Sequence, residues 1–137
     1  MADTSWEAAM AQLLAAQRDF AGGDVAGIKR LYSHREDVTV FGGFGGFERG
    51  WAEVGPRLEW AASQFSGGTY GQEDLSTAVG TDVACLVSLE RWSYTNPHDR
   101  TATLLELRVT QLFRHEDGEW RLVHRHPDPL MQKRPPW

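Results

Sequence analysis

Residues 101–125 hold two long runs of alternating apolar and polar side chains, joined by Glu116-Asp117-Gly118-Glu119. Alternation with a period of two defines strands. Asp-Gly between two such runs is the strongest short-range signal for a tight hairpin. A lone two-stranded ribbon is not stable in water, so this hairpin needs more strands and a covering layer. Two further alternating runs, 69–79 and 83–95, precede it, and Asn96-Pro97-His98-Asp99 supplies the turn into it. The C-terminal half therefore predicts an antiparallel sheet.

The first third predicts helices. Thr4 and Glu7 fit a capping box, and Trp6, Met10, Leu13, Gln17 and Phe20 recur at helical spacing until Gly22 and Gly23. Asp24 can cap a short second helix, with Val25, Ile28, Leu31 and Tyr32 facing the core. Asp37 to Gly42 alternates like a strand and leads into a glycine-dense loop that carries Phe44 and Phe47. Trp51, Val54, Leu58, Ala62 and Phe65 then mark a third helix, with a kink or late start expected at Pro56. Helices first and strands after imply an α+β fold, a curved, mostly antiparallel sheet wrapped around N-terminal helices. At 137 residues the chain fits one domain, 1–130, with a tail at 131–137.

Formal net charge is −5, and no basic run or arginine stripe appears, so nucleic acid is not an expected partner. No apolar stretch approaches the roughly 18 residues of a membrane span. One cysteine, Cys85, lies in an apolar run and cannot form an internal disulfide. The expectation is a soluble, cytoplasmic protein without a membrane partner. Six tryptophans and six phenylalanines must fill a core, a pocket or an interface. The glycine loop is not a dinucleotide fingerprint, and no serine-nucleophile elbow occurs, so no cofactor is expected.

The order of elements, together with "GDVAGIKRLYS", "DVTVFG", "RGWAEV" and "VTQLFRHEDGEWRLVHRHPDP", resembles the SnoaL-like, ketosteroid-isomerase-like group of the nuclear-transport-factor-like superfamily. The resemblance implies a cone-shaped α+β fold, and a homodimer paired through the outer face of its sheet. It implies a small-molecule pocket inside the cone, in a fold that hosts isomerases, dehydratases, cyclases and pure assembly domains. The ketosteroid isomerase residues do not carry over. Its oxyanion tyrosine falls at Ala16, its aspartate base at Gly42 and its protonated aspartate at Thr110. In limonene epoxide hydrolase the matching arginine is Arg91, but the two acids fall near Ser93 and Arg125.

A regular hairpin about Asp117-Gly118 places Thr110 opposite Arg125 and Arg108 near Pro127, on the face of Glu106 and Arg91. The other face gathers Leu105, Leu107, Val109, Phe113, Trp120 and Leu122 with His124 and His126. One bulged residue would exchange these faces. The family anchors put the arginine set in the pocket and the apolar set at a dimer seam. Hydrophobicity alone would turn the apolar set, histidines included, toward the core. Candidate ligand-binding residues are Trp51, Arg91, Arg108, Thr110 and Arg125, since guanidinium groups clamp carboxylates. They point to a small organic, acidic ligand. Candidate catalytic residues are His124 and His126, titrating near neutrality, with Asp128 to orient one of them. Histidines two apart can share a metal ion, but no third ligand stands at suitable spacing, so no metal is assigned. A non-catalytic dimeric binding or assembly module is the competing reading.

Overall fold

The computed structural model describes residues 3–136. Two helices open the chain, α1 (Trp6–Ala21) and α2 (Ala26–Leu31), followed by two short strands, β1 (Thr39–Val40) and β2 (Glu48–Arg49). Helix α3 (Trp51–Ser63) comes next, and then four long strands, β3 (Thr69–Val79), β4 (Val83–Thr95), β5 (Ala102–Glu116) and β6 (Glu119–Pro129). The strands form one six-stranded sheet in the order β2-β1-β6-β5-β4-β3. All neighbours are antiparallel except β1 and β6. This is the expected α+β arrangement, with helices covering one face of an unclosed, curved sheet. Among the described residues no helix is long and apolar enough to cross a membrane.

Local chemistry explains most element ends. The cap of α1 falls one residue later than the sequence pattern implied. Ser5, not Thr4, is the N-cap, and its Oγ accepts from the Ala8 amide at 3.1 Å. Asp24 serves α2 from just outside, its Oδ1 accepting from the Ala26 amide at 3.0 Å. Helix α3 starts at Trp51 and continues through Pro56, so the late start expected there does not occur. The predicted strand from Asp37 shrinks to two residues, and β2 carries too little pattern to be foreseen. The Asp117-Gly118 turn has positive φ at both positions, 52° and 81°, as a type I′ hairpin requires.

Apolar side chains from both layers meet between helices and sheet. Leu13, Tyr32, Val38, Val54, Leu86, Phe113 and Leu122 are essentially inaccessible. Trp6 packs edge-on against Phe113 and Trp120, at 5.1 and 5.5 Å between ring centroids. Phe20, Phe65, Tyr70 and Trp92 form a second aromatic cluster.

One irregularity decides which side chains meet this core. From the turn, β5 and β6 pair as foreseen up to Phe113 with Leu122. The register then shifts: Leu112 pairs with His124, and Val123 is left over as a bulge. Beyond it, Thr110 faces His126, Gln111 faces Arg125 and Val109 faces Pro127. The regular-hairpin assignment of Thr110 to Arg125 is thereby corrected, and the faces exchange. Arg125 turns inward with Leu107, Val109 and Gln111. His124, His126 and Asp128 turn outward with Arg108 and Thr110. Leu105, Leu107, Val109, Phe113, Trp120 and Leu122 face the helices and are not an outer seam.

Phe113→Ala removes a fully buried ring, and equilibrium urea unfolding should show a loss of about 3–5 kcal/mol. His124 lies partly buried on the outer face, its Nδ1 at 2.7 Å from Thr39 Oγ1. Burial and the neighbouring His126 hold its imidazole below the ordinary histidine value. The unfolded chain then binds the proton more readily, so stability is full above about pH 6.5 and falls as pH drops below it. Wild type should lose more stability than His124→Asn between pH 7.5 and 5.5 in chemical denaturation. Parallel losses in the two proteins would rule this origin out.

Candidate functional site

The inner face of the sheet is apolar except along its middle. In β4, Leu86, Ser88, Glu90 and Trp92 alternate inward and are all buried. In β5, Gln111 does the same, and in β6, so does Arg125. Glu90 and Arg125 meet across the intervening strand as a two-pronged ion pair, with N–O distances of 2.8 and 2.5 Å. Their side chains are 0% and 11% exposed. The Trp92 indole also donates to Glu90 at 3.0 Å. Burial pushes the Glu90 carboxyl up, but the Arg125 charge and the donated hydrogen bonds outweigh it, and the net direction is down. Glu90 is therefore held ionised and weakly basic.

A cavity of about 90 Å³ lies against this pair, between sheet and helices. Phe20, Leu58, Phe65, Trp92, Leu105 and Leu107 give it apolar walls. Gly42, Gly43 and Phe44 of the glycine loop cover one side. Of the two phenylalanines in this loop, Phe44 lies over the cavity and Phe47 does not. It is 70% exposed and meets Phe41 instead. The polar lining comes from Tyr32, Arg57 and Arg125. Tyr32 sits at the C-cap of α2, pinned to β6 by a bridge to Leu122. Its hydroxyl is buried and has no hydrogen-bond partner among the described residues. Burial raises its pKa, so the group is a neutral donor. The Gln111 amide and the Ser88 hydroxyl are likewise buried without partners among the described residues. Buried polar groups without partners are costly unless something polar visits them.

Arg57 reaches the cavity from α3, with its Nε 3.2 Å from Glu48 Oε1 and its guanidinium 3.9 Å above the Trp60 ring. Each cavity arginine thus has its own glutamate, and the site carries little net charge. The Arg125 fork spends one hydrogen on each terminal nitrogen in the Glu90 pair, which leaves donors over. With the Tyr32 hydroxyl they form two kinds of donor in a chamber with largely apolar walls. Such donors stabilise negative charge developing on a ligand oxygen.

Of the residues singled out by sequence, only Arg125 reaches the cavity. Arg91 and Thr110 are exposed on the outer face. Arg108, also outside, grips Asp128 through Nε and Nη2 at 2.8 and 2.6 Å, so Asp128 orients no histidine. His124 and His126 flank Phe41 edge-on, at 4.9 and 5.1 Å between ring centroids. Trp51 stacks on His34 at 3.9 Å and does not line the cavity. Among the described residues no group of three or more His, Cys, Asp or Glu is placed to hold a metal. Sequence reading missed Glu90 and Tyr32. The signal for Glu90 was there, because the alternation that turns Trp92 inward turns Glu90 with it.

A family model of the SnoaL-like domain matches residues 7–129. No curated protein matches the chain in sequence. Among solved structures, it resembles a nuclear transport factor 2-like superfamily protein from Salmonella enterica serovar Typhimurium, with a TM-score of 0.77, 15% identity and coverage of 93% and 95% of the two chains. A Streptomyces avermitilis protein of the same superfamily, provisionally named a dehydratase, gives 0.77, 16% identity and coverage of 92% and 94%. A ketosteroid isomerase-like protein from Erwinia carotovora atroseptica gives 0.72, 20% identity and coverage of 92% and 94%. These likenesses speak for the fold. The family-model match, over nearly the whole chain, shows that this protein belongs to the SnoaL-like domain family.

Proposed function

We propose that the cone binds a small, largely apolar organic molecule through one carbonyl oxygen, as the first step of isomerase- or dehydratase-type chemistry. The carrying observation is the pairing of the unpartnered Tyr32 hydroxyl with Arg125 in an otherwise apolar cavity. The names borne by the Streptomyces and Erwinia neighbours are in keeping with this reading. An acidic ligand was expected from three convergent arginines. Two of those, Arg91 and Arg108, lie outside, and Arg125 is already neutralised by Glu90. A free carboxylate would have to compete with Glu90, so charge balance favours an uncharged carbonyl compound.

The assembly reading keeps one observation of its own. A shallow outer groove joins Leu75, Val87 and Leu89 to Thr110 and His126, with Arg108 and Asp128 beside them. An apolar strip edged by both charges suits contact with a second copy, so a homodimer is part of the proposal. In it the histidines belong to the seam and play no part in binding.

The Trp92 indole N–H, tied to Glu90, is a built-in reporter. Its NMR resonance should shift on titration with cyclohexanone and much less with benzoate. Tyr32→Phe should weaken cyclohexanone binding about tenfold, the worth of one buried hydrogen bond. An indole resonance indifferent to both compounds would end the carbonyl reading. Sedimentation velocity should find dimers whose dissociation constant rises in His126→Ala, with the cyclohexanone shift unchanged. A wild-type monomer at 100 µM protein would remove the seam.

A further inference from the structure

The cavity, at about 90 Å³, is smaller than the roughly 150 Å³ that accommodates a benzene ring in an apolar protein core. A ring-sized ligand therefore has to push a wall back. Most walls cannot yield, because Phe20, Leu58, Phe65, Trp92 and Leu107 are buried and packed into the core. Phe44 differs from them. It is the one large apolar wall that is also exposed, at 41%. Two glycines precede it and two follow, and Gly45 and Gly46 have φ of 91° and 68°, a region that glycine enters freely.

The loop is anchored at both ends and loose between them. Before it, the Phe41 amide donates to the Arg125 carbonyl at 2.9 Å, and the Phe41 ring meets His124 and His126 edge-on. After it, Glu48 pairs with Val40 and holds Arg57. Between these points, among the described residues, the one backbone hydrogen bond is the loop's own turn, from the Gly45 amide to the Gly42 carbonyl at 3.0 Å. The Phe44 ring is seated only by its neighbours. It stands edge-on to Trp60 at 5.4 Å and tilted to Phe65 at 6.1 Å between centroids. Trp60 lies outside the cavity lining and is steadied by Arg57 above its ring.

We propose that Phe44 is the movable wall of this cavity and the residue that sets the size of the ligand. A single-ring ketone enters by swinging the ring away from Trp60 on its glycines, and a fused two-ring ketone is too large for the loop to settle over. The proposal rests on the carbonyl-binding reading for the ligand's polar end, and on the cavity's dimensions for its bulk.

Two indole N–H resonances separate filling of the cavity from movement of its wall. Trp92 lines the cavity, and Trp60 touches Phe44 from outside it. Cyclohexanone should shift both resonances in wild type, and only that of Trp92 in Phe44→Ala. 2-Decalone should bind wild type at least about tenfold more weakly than cyclohexanone, and Phe44→Ala should narrow that gap by about tenfold or more. Phe47→Ala, in the same loop but off the cavity, should keep the wild-type gap. A folded Phe44→Ala with the wild-type gap would overturn the assignment, as would a Phe47→Ala that narrows it equally. So would a Trp60 resonance that ignores cyclohexanone bound to wild type. Cyclohexanone that binds none of the three proteins would instead overturn the carbonyl-binding reading. Naphthalene, which has no carbonyl, then tests the wall by itself: it should enter Phe44→Ala and not wild type, and equal behaviour in the two proteins would remove the proposal.

Discussion

The Glu90–Arg125 pair sets the character of everything around it. It lies across three strands, with both side chains nearly removed from water. Bringing two charges into such a place is expensive, and their attraction repays the cost only with good geometry. Here the geometry is two-pronged, and the Trp92 indole adds a third donor to the carboxylate. Removing one partner would strand the other charge in the interior, at a cost of roughly 3–5 kcal/mol. The pair therefore fixes the relative placement of β4 and β6, and with them the shape of the chamber. It also makes that chamber polar at one spot without making it charged.

Around this centre the protein sorts its titratable groups by face. Inside are Glu90, Arg125, Tyr32 and Arg57, the last with its partner Glu48, few in number. Outside are Arg91, Glu106, Arg108, His126 and Asp128, engaged with one another or with solvent, and the partly buried His124, bonded to Thr39. A second buried acid, Glu116, belongs to neither set. It accepts from Ser33 at 3.0 and 2.9 Å and from Arg114, near the hairpin turn, and ties that end of the sheet to the segment after α2. Its neighbours satisfy it fully, which marks it as a structural group.

The fold was legible because its signals are local and repeat: helical spacing in the first third, alternation in the last half, and Asp117-Gly118 to close the hairpin. The site was not, because it hangs on events with no sequence mark. Val123 is an ordinary strand former, and nothing in it announces a bulge. Its presence moved Arg125 inward and carried Arg108, Thr110 and both histidines outward. Glu48, the partner of Arg57, was hidden for another reason. It stands in a two-residue strand whose pairing comes from β1 and the packing of α3, not from its own pattern. Trp51, read as core or ligand contact, packs at the margin of the core and stacks on His34, which follows α2, but does not line the cavity.

The bulge at Val123 has an evolutionary side. Along a regular strand, changing which chemistry meets the ligand takes several coordinated substitutions. In β6 a gain or loss of one codon would deal every side chain after it to the opposite face at once. What was solvent-side would become chamber lining, and an ion pair would be made or dissolved in the same event. A cone whose wall can be re-dealt in this way gives a lineage a short route from one ligand to another. It also means that relatives of similar sequence need not present the same residues to what they bind.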